Sequence, residues 1–167
     1  MKIKNKSAQA WGMDLMIGVI IFSIGIIVFF IYSINAPGEQ KENFQELSYQ
    51  GNLIAKTILS EGYPLDWNDI NAVKIGILSG DKINQTKLER FYDLSQSNYY
   101  KTKTLFNTKY DYYFFFDKNM TINSVEVDGI GKPGITRDNI NASNLIKITR
   151  VVVYEDKPTT AYLYVFE

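Results

Sequence analysis

Twenty consecutive residues, Leu15 to Ile34, carry no charge, and this run limits what the chain can fold into more than any other feature. At about 1.5 Å per residue a helix of that length reaches about 30 Å, the thickness of a bilayer's hydrocarbon core. Its only mildly polar members are Ser23, Tyr32 and Ser33. A helix apolar on every face belongs in lipid or deep inside a large core, and a chain of 167 residues is too small to build the latter around it. A single membrane-spanning helix is therefore expected. Asp14 stands where the run begins, and an acid at that boundary is costly enough to mark a functional position.

The chain beyond the run has room for one modest domain. Taking Lys2, Lys4 and Lys6 from the 18 basic residues and Asp14 from the 18 acidic ones leaves 15 against 17, so no basic field exists to hold nucleic acid. There is no cysteine and no histidine. That removes disulfides, thiolate nucleophiles, the usual zinc and haem sites and histidine acid–base chemistry, and no cofactor is expected. Twelve tyrosines and ten phenylalanines suit strands and interfaces.

Lys2, Lys4 and Lys6 precede the run with no acid among them. The positive-inside rule then keeps the amino terminus in the cytoplasm and sends the rest of the chain outside. A secretory signal is the rival reading, but its apolar region would be shorter, and Ala36-Pro37-Gly38 is a poor cleavage site.

The stretch Lys6-Ser7-Ala8-Gln9-Ala10-Trp11-Gly12-Met13-Asp14, running straight into the apolar segment, resembles the class III signal of archaeal type IV pilins and pilin-like proteins. In that family a prepilin peptidase removes a short basic leader on the cytoplasmic side, and the helix stays with the mature protein. The resemblance maps the cut between Ala8 and Gln9. Ser7 stands where the family usually has a basic residue, and Asp14 is the sixth residue from Gln9 where the family's acid is typically the fifth. The resemblance further implies that Asp14 pairs with the amino group of a neighbouring subunit during assembly.

Pro37-Gly38 interrupts the helix just beyond the expected bilayer. From Glu39 to Ser60 the pattern becomes amphipathic, with Phe44, Leu47, Leu53, Ile54, Ile58 and Leu59 at helical spacing and Gly62 past the end. This stripe needs a partner, and a sheet formed by the later residues is the natural one. The result is an α+β fold of pilin-like arrangement, a long amino-terminal helix with a membrane half and an amphipathic half packed on an antiparallel sheet. Its expected divisions are a leader at 1–8, an assembly helix at 9–36, the amphipathic helix at 37–62 and an extracytoplasmic head at 63–167.

Within the head, Tyr63 to Asn71 reads as a loop anchored by Trp67, with Asp66 and Asp69 in a capping arrangement. Those acids beside Asn68 also suggest calcium, but the chain after them has no glycine-centred loop with a distal glutamate. Val73, Ile75 and Ile77 alternate as a strand, and Asn84 should cap a helix to about Gln96, with Leu88, Phe91 and Tyr92 on one side. A short helix over Tyr99 to Phe106 is expected next, weakened by Thr102 and Thr104. Strands are expected from Tyr110 and from Ile122 to Val127, then a long loop over Asp128 to Asn144. GIGKPG within that loop lacks the spacing of a phosphate-binding loop. The chain closes as a hairpin turning at Glu155 to Pro158, whose tyrosine-rich second strand needs cover on both faces.

No nucleophile with a neighbouring base, paired carboxylates in a cleft or metal cluster emerges, so an enzyme is not expected. Asn84-Gln85-Thr86, Asn119-Met120-Thr121 and Asn141-Ala142-Ser143 are N-glycan acceptor triplets in the exported part, while Asn5-Lys6-Ser7 lies on the cytoplasmic side. Two functional readings stand. One is a pilin-like filament subunit whose partners are copies of itself or other pilins, the prepilin peptidase and membrane lipid. The other is a permanently anchored single-pass surface protein with an exported ligand- or partner-binding domain.

Overall fold

The computed structural model describes the backbone of residues 7–34 and 38–167, and the side chains of 12–34 and 43–167. The chain divides into two compact units, 1–41 and 42–167. Helix α1 (Ser7–Ile34) belongs to the first, and α2 (Gly38–Ile58) runs into the second. The architecture is α+β, an apolar amino-terminal helix and a mostly antiparallel sheet, the class that the hydropathy pattern predicts.

The second unit contains strands β1 (Leu78–Ser79), β2 (Lys82–Ile83), β3 (Asp111–Phe116), β4 (Met120–Ile122), β5 (Val125–Val127), β6 (Ile130–Gly131), β7 (Leu145–Tyr154) and β8 (Lys157–Phe166). Helices α3 (Gln85–Ser97) and α4 (Tyr99–Leu105) lie between β2 and β3. Six strands form one sheet in the order β1-β2-β7-β8-β3-β6, and β4 pairs with β5 as a separate ribbon. Among the described residues only the β2–β7 contact, Lys82 with Val153, is parallel. The long β7–β8 hairpin turns on two residues, Glu155 and Asp156, both at positive φ (51° and 58°). A turn of that kind matches the right-handed twist of its strands.

Helix α2 sits on this hairpin. Leu47, Ile54, Ala55 and Ile58 are buried, and Gly51 sits among them. A Cβ added to Gly51 would come within 2.6 Å of Ile146 Cδ1 and 2.7 Å of Ile148 Cδ1, so the absent side chain sets the depth of the seat. Fully burying a leucine or isoleucine contributes about 1.5–3 kcal/mol each. The stripe differs from the expected one at two places, since Phe44 and Leu53 are exposed. Leu53 lies on the opposite side of the helix from Gly51, and the turn is filled by Gly51 and Ala55 instead.

At the carboxyl end of α2 the chain folds back on itself. Gly62 has φ +76°, and a Cβ on Gly76 would fall 2.2 Å from Gly62 N and 2.4 Å from Ser60 O. Trp67 is fully buried, as its anchoring role requires, and its Nε1 donates to Gly76 O at 2.8 Å. The expected strand over Val73 to Ile77 does not form. Ile75 and Ile77 are core residues, but their segment hydrogen-bonds to the helix end, Ile77 N to Ile58 O at 2.9 Å, and Val73 is exposed. The Asp66–Asp69 arrangement caps no helix; Asn68 Oδ1 instead accepts from Ile70 N and Asn71 N.

Asn84 caps α3 as expected, accepting from Lys87 N at 3.1 Å, and Asn98 repeats the device for α4, accepting from Lys101 N at 3.0 Å. Leu88 and Phe91 of α3 are buried, and Phe91 stacks on Tyr112 of β3 with ring centroids 6.2 Å apart. Helix α4 forms with Thr102 inside it, and the Thr102 hydroxyl is buried between Tyr99 O (2.6 Å) and the Tyr112 hydroxyl (2.5 Å). The expected strand from Ile122 to Val127 is broken into β4 and β5 by Asn123 and Ser124, both at positive φ. The stretch 128–144 is not all loop, since Ile130 and Gly131 add an edge strand to β3.

Candidate functional site

Two places in the molecule have chemistry beyond packing. The first is α1. From Gly12 to Ile34 it has 23 residues, all exposed, and its most apolar 18-residue window has a mean hydropathy of 2.8. At about 1.5 Å per residue it is about 34 Å long, enough to cross a bilayer. One of its polar side chains bonds within the helix, Ser23 Oγ donating to Val19 O at 2.8 Å. Asp14 is exposed on this helix near its amino end. The expected cut between Ala8 and Gln9 falls where the backbone is helical, but those side chains, and residues 1–6 altogether, lie outside the described residues.

The second place is the face of the sheet turned away from α2. Tyr113, Phe115 and Phe166 are buried there, and Tyr162 and Tyr164 are half-buried beside them. The cover is the chain between β6 and β7, through Ile135, Ile140 and Ala142. One arginine fastens that cover. Arg137 donates from its Nε to Asp128 Oδ1 and from its backbone N to Asp128 Oδ2 at 3.1 Å. Its Nη2 reaches Asn119 Oδ1 at 3.0 Å and Asp128 O at 3.1 Å. The guanidinium also lies 5.1 Å from the Phe115 ring centre, within cation–π range. Asp128 accepts a fourth bond, from the Tyr113 hydroxyl at 2.9 Å. Burial pushes the Asp128 carboxyl up, but the Arg137 backbone N–H, the Tyr113 hydroxyl and the guanidinium outweigh it and hold it below the usual carboxylate range. A second acid works alike. Burial raises Asp111, yet Lys132 (2.6 Å) and Lys103 (2.9 Å) bring it below its ordinary value.

The three acceptor triplets of the head are dispersed. Asn84 is half-buried at the α3 cap, Asn119 is in the turn after β3, and Asn141 is exposed in the covering segment. Near Asn119 a cavity of about 200 Å³ opens between that turn and the tip of the β7–β8 hairpin, lined by Lys118, Asn119, Tyr154, Glu155 and Lys157. No group of three His, Cys, Asp or Glu residues placed to hold a metal occurs among the described residues. The Arg137–Asp128 fastening was not visible in the sequence. The two residues are nine apart in a stretch without apolar period, and only the positive charge of Arg137 between Ile135 and Ile140 hinted at it. Compared with known proteins, the chain matches no family model, no curated protein and no solved structure.

Proposed function

We propose that the chain is a type IV pilin-like subunit, held in a membrane by α1 and then built into an extracellular filament. The observation that carries this reading is the uncharged run Leu15 to Ile34 of α1, every residue of which is exposed. Such a surface is satisfied either by lipid or by the same helices of other copies. A filament core provides the second, because head-to-tail contacts that do not close a ring extend indefinitely. On this reading a prepilin peptidase cuts between Ala8 and Gln9, the head faces outward, and Asp14 meets the freed amino group of an adjoining copy. A carboxylate and an ammonium attract far more strongly at a membrane boundary than in water, and each is costly there alone. The seating of α2 on the β7–β8 hairpin supports the reading too, since force applied along the helix would be borne by a packed domain.

Mass spectrometry of the mature amino terminus tests the proposal. A chain starting at Gln9 and present in sheared surface filaments is expected. A chain keeping Met1 and staying with the membranes would instead identify a permanently anchored single-pass surface protein.

A further inference from the structure

The three acceptor triplets of the head differ in what their asparagine amides are doing. Asn84 has both ends engaged: Oδ1 accepts from Lys87 N at 3.1 Å, and Nδ2 donates to Ser79 Oγ at 3.1 Å. Asn119 has its Oδ1 on the guanidinium of Arg137 at 3.0 Å. That contact fixes the amide and draws electron density toward oxygen, leaving the nitrogen a poorer nucleophile. Asn141 makes no hydrogen bond to any described residue, and its side chain is exposed. Its neighbours explain why. Ile140 and Ala142 are half-buried against the aromatic face, so in this segment Asn141 and Ser143 alternate to the outside. The backbone around them is nevertheless held, with Ser143 N donating to Glu167 O at 2.9 Å. The triplet thus presents its amide and its hydroxyl together on a fixed, outward segment.

We infer that Asn141 is the one N-glycan acceptor of the head, taking its sugar from a lipid-linked oligosaccharide phosphate. This rests on the outward orientation of the head proposed above. In the transfer, Asn141 Nδ2 forms a bond to the anomeric carbon, and the bond from that carbon to the phosphate oxygen breaks. The lipid phosphate leaves with the electron pair, and the amide nitrogen gives up one proton to water. A glycan there stands over the strap that covers Tyr113, Phe115 and Phe166, and it leaves the α2 side of the sheet bare.

The test is peptide-level mass spectrometry of the full chain purified from its own membranes or filaments, together with protease treatment of intact cells. The expected result is one oligosaccharide, on the peptide containing Asn141. That mass disappears entirely in Asn141→Gln and persists in Asn119→Gln. A glycan on Asn84 or Asn119, or one that survives Asn141→Gln, overturns the assignment. A bare chain whose head is digested on intact cells overturns it while leaving the orientation standing, and a bare chain whose head is protected overturns both.

Discussion

Gly76 shows how much a single missing side chain can determine. A Cβ added to it would fall 2.2 Å from Gly62 N and 2.4 Å from Ser60 O, both backbone atoms, which leaves no room for a methyl group. Gly76→Ala should therefore cost about 3 kcal/mol or more, the upper range for overpacking. Gly80→Ala is the control, because Gly80 has φ +59° but no atom within 4 Å of an added Cβ. It should cost only the left-handed penalty of about 1–2 kcal/mol. Thermal melting of the full chain in detergent checks the difference. The sequence shows Gly62 as a helix stop, but Gly76 reads as an ordinary step in an alternating run, because its partner is fourteen residues earlier. Arg137 makes a second prediction at this scale. Asp128 and Asp111 titrate below their ordinary value, so they stabilise the fold above about pH 4, the unfolded carboxylate range, and that contribution is lost as pH falls through their folded values. Melting temperature should hold steady from pH 7 to about 5 and fall below about 4. Arg137→Met should lower it at pH 7 and flatten part of the acid-side fall.

Among elements, α2 and the closing hairpin were the most legible, because both declare themselves by periodicity over more than ten residues. Ile54 and Ile58 are fully covered under the sheet. Either one changed to alanine should destabilise the full chain by about 2–5 kcal/mol, against little change for Leu53→Ala on the exposed side. Unaltered melting in both isoleucine variants would place the stripe elsewhere. The short elements were less legible for a common reason. Strands β1, β2 and β6 are two residues each, too short to show a period; β2 and β6 lie against the longer β7 and β3, and β1 pairs with β2. The division of 120–127 into two strands hinges on Asn123 and Ser124 both adopting positive φ, which their side chains permit and do not demand. Of the features singled out as sites, Asp14 and the acceptor triplets were plain from residue type, whereas the Arg137 fastening came into view only when β3 and β6 brought Tyr113 beside Asp128.

At the scale of the molecule, α1 is exposed from Gly12 to Ile34, and the proposed reading covers it with lipid or with other copies. Asp14→Asn keeps the size of the side chain and removes its charge. If Asp14 meets a neighbour's amino group, leader removal and membrane level should be unchanged while incorporation into filaments falls on the order of tenfold or more, the equivalent of about 1.4 kcal/mol. Equal incorporation would leave Asp14 a minor role at the helix end. The seat of α2 also imposes an order on events during synthesis. The atoms that receive Gly51 belong to Ile146, Ile148 and Val165, near the far end of the sequence. Ribosomes add about 5–20 residues per second, so roughly a hundred residues and about 5–20 seconds separate the helix from its seat. Throughout that interval α1 has already been synthesised and the apolar side of α2 has nowhere to pack. On the membrane-anchored reading proposed above, the bilayer receives the first helix well before the domain after it can close, and delayed insertion leaves two unmated apolar surfaces on one nascent chain.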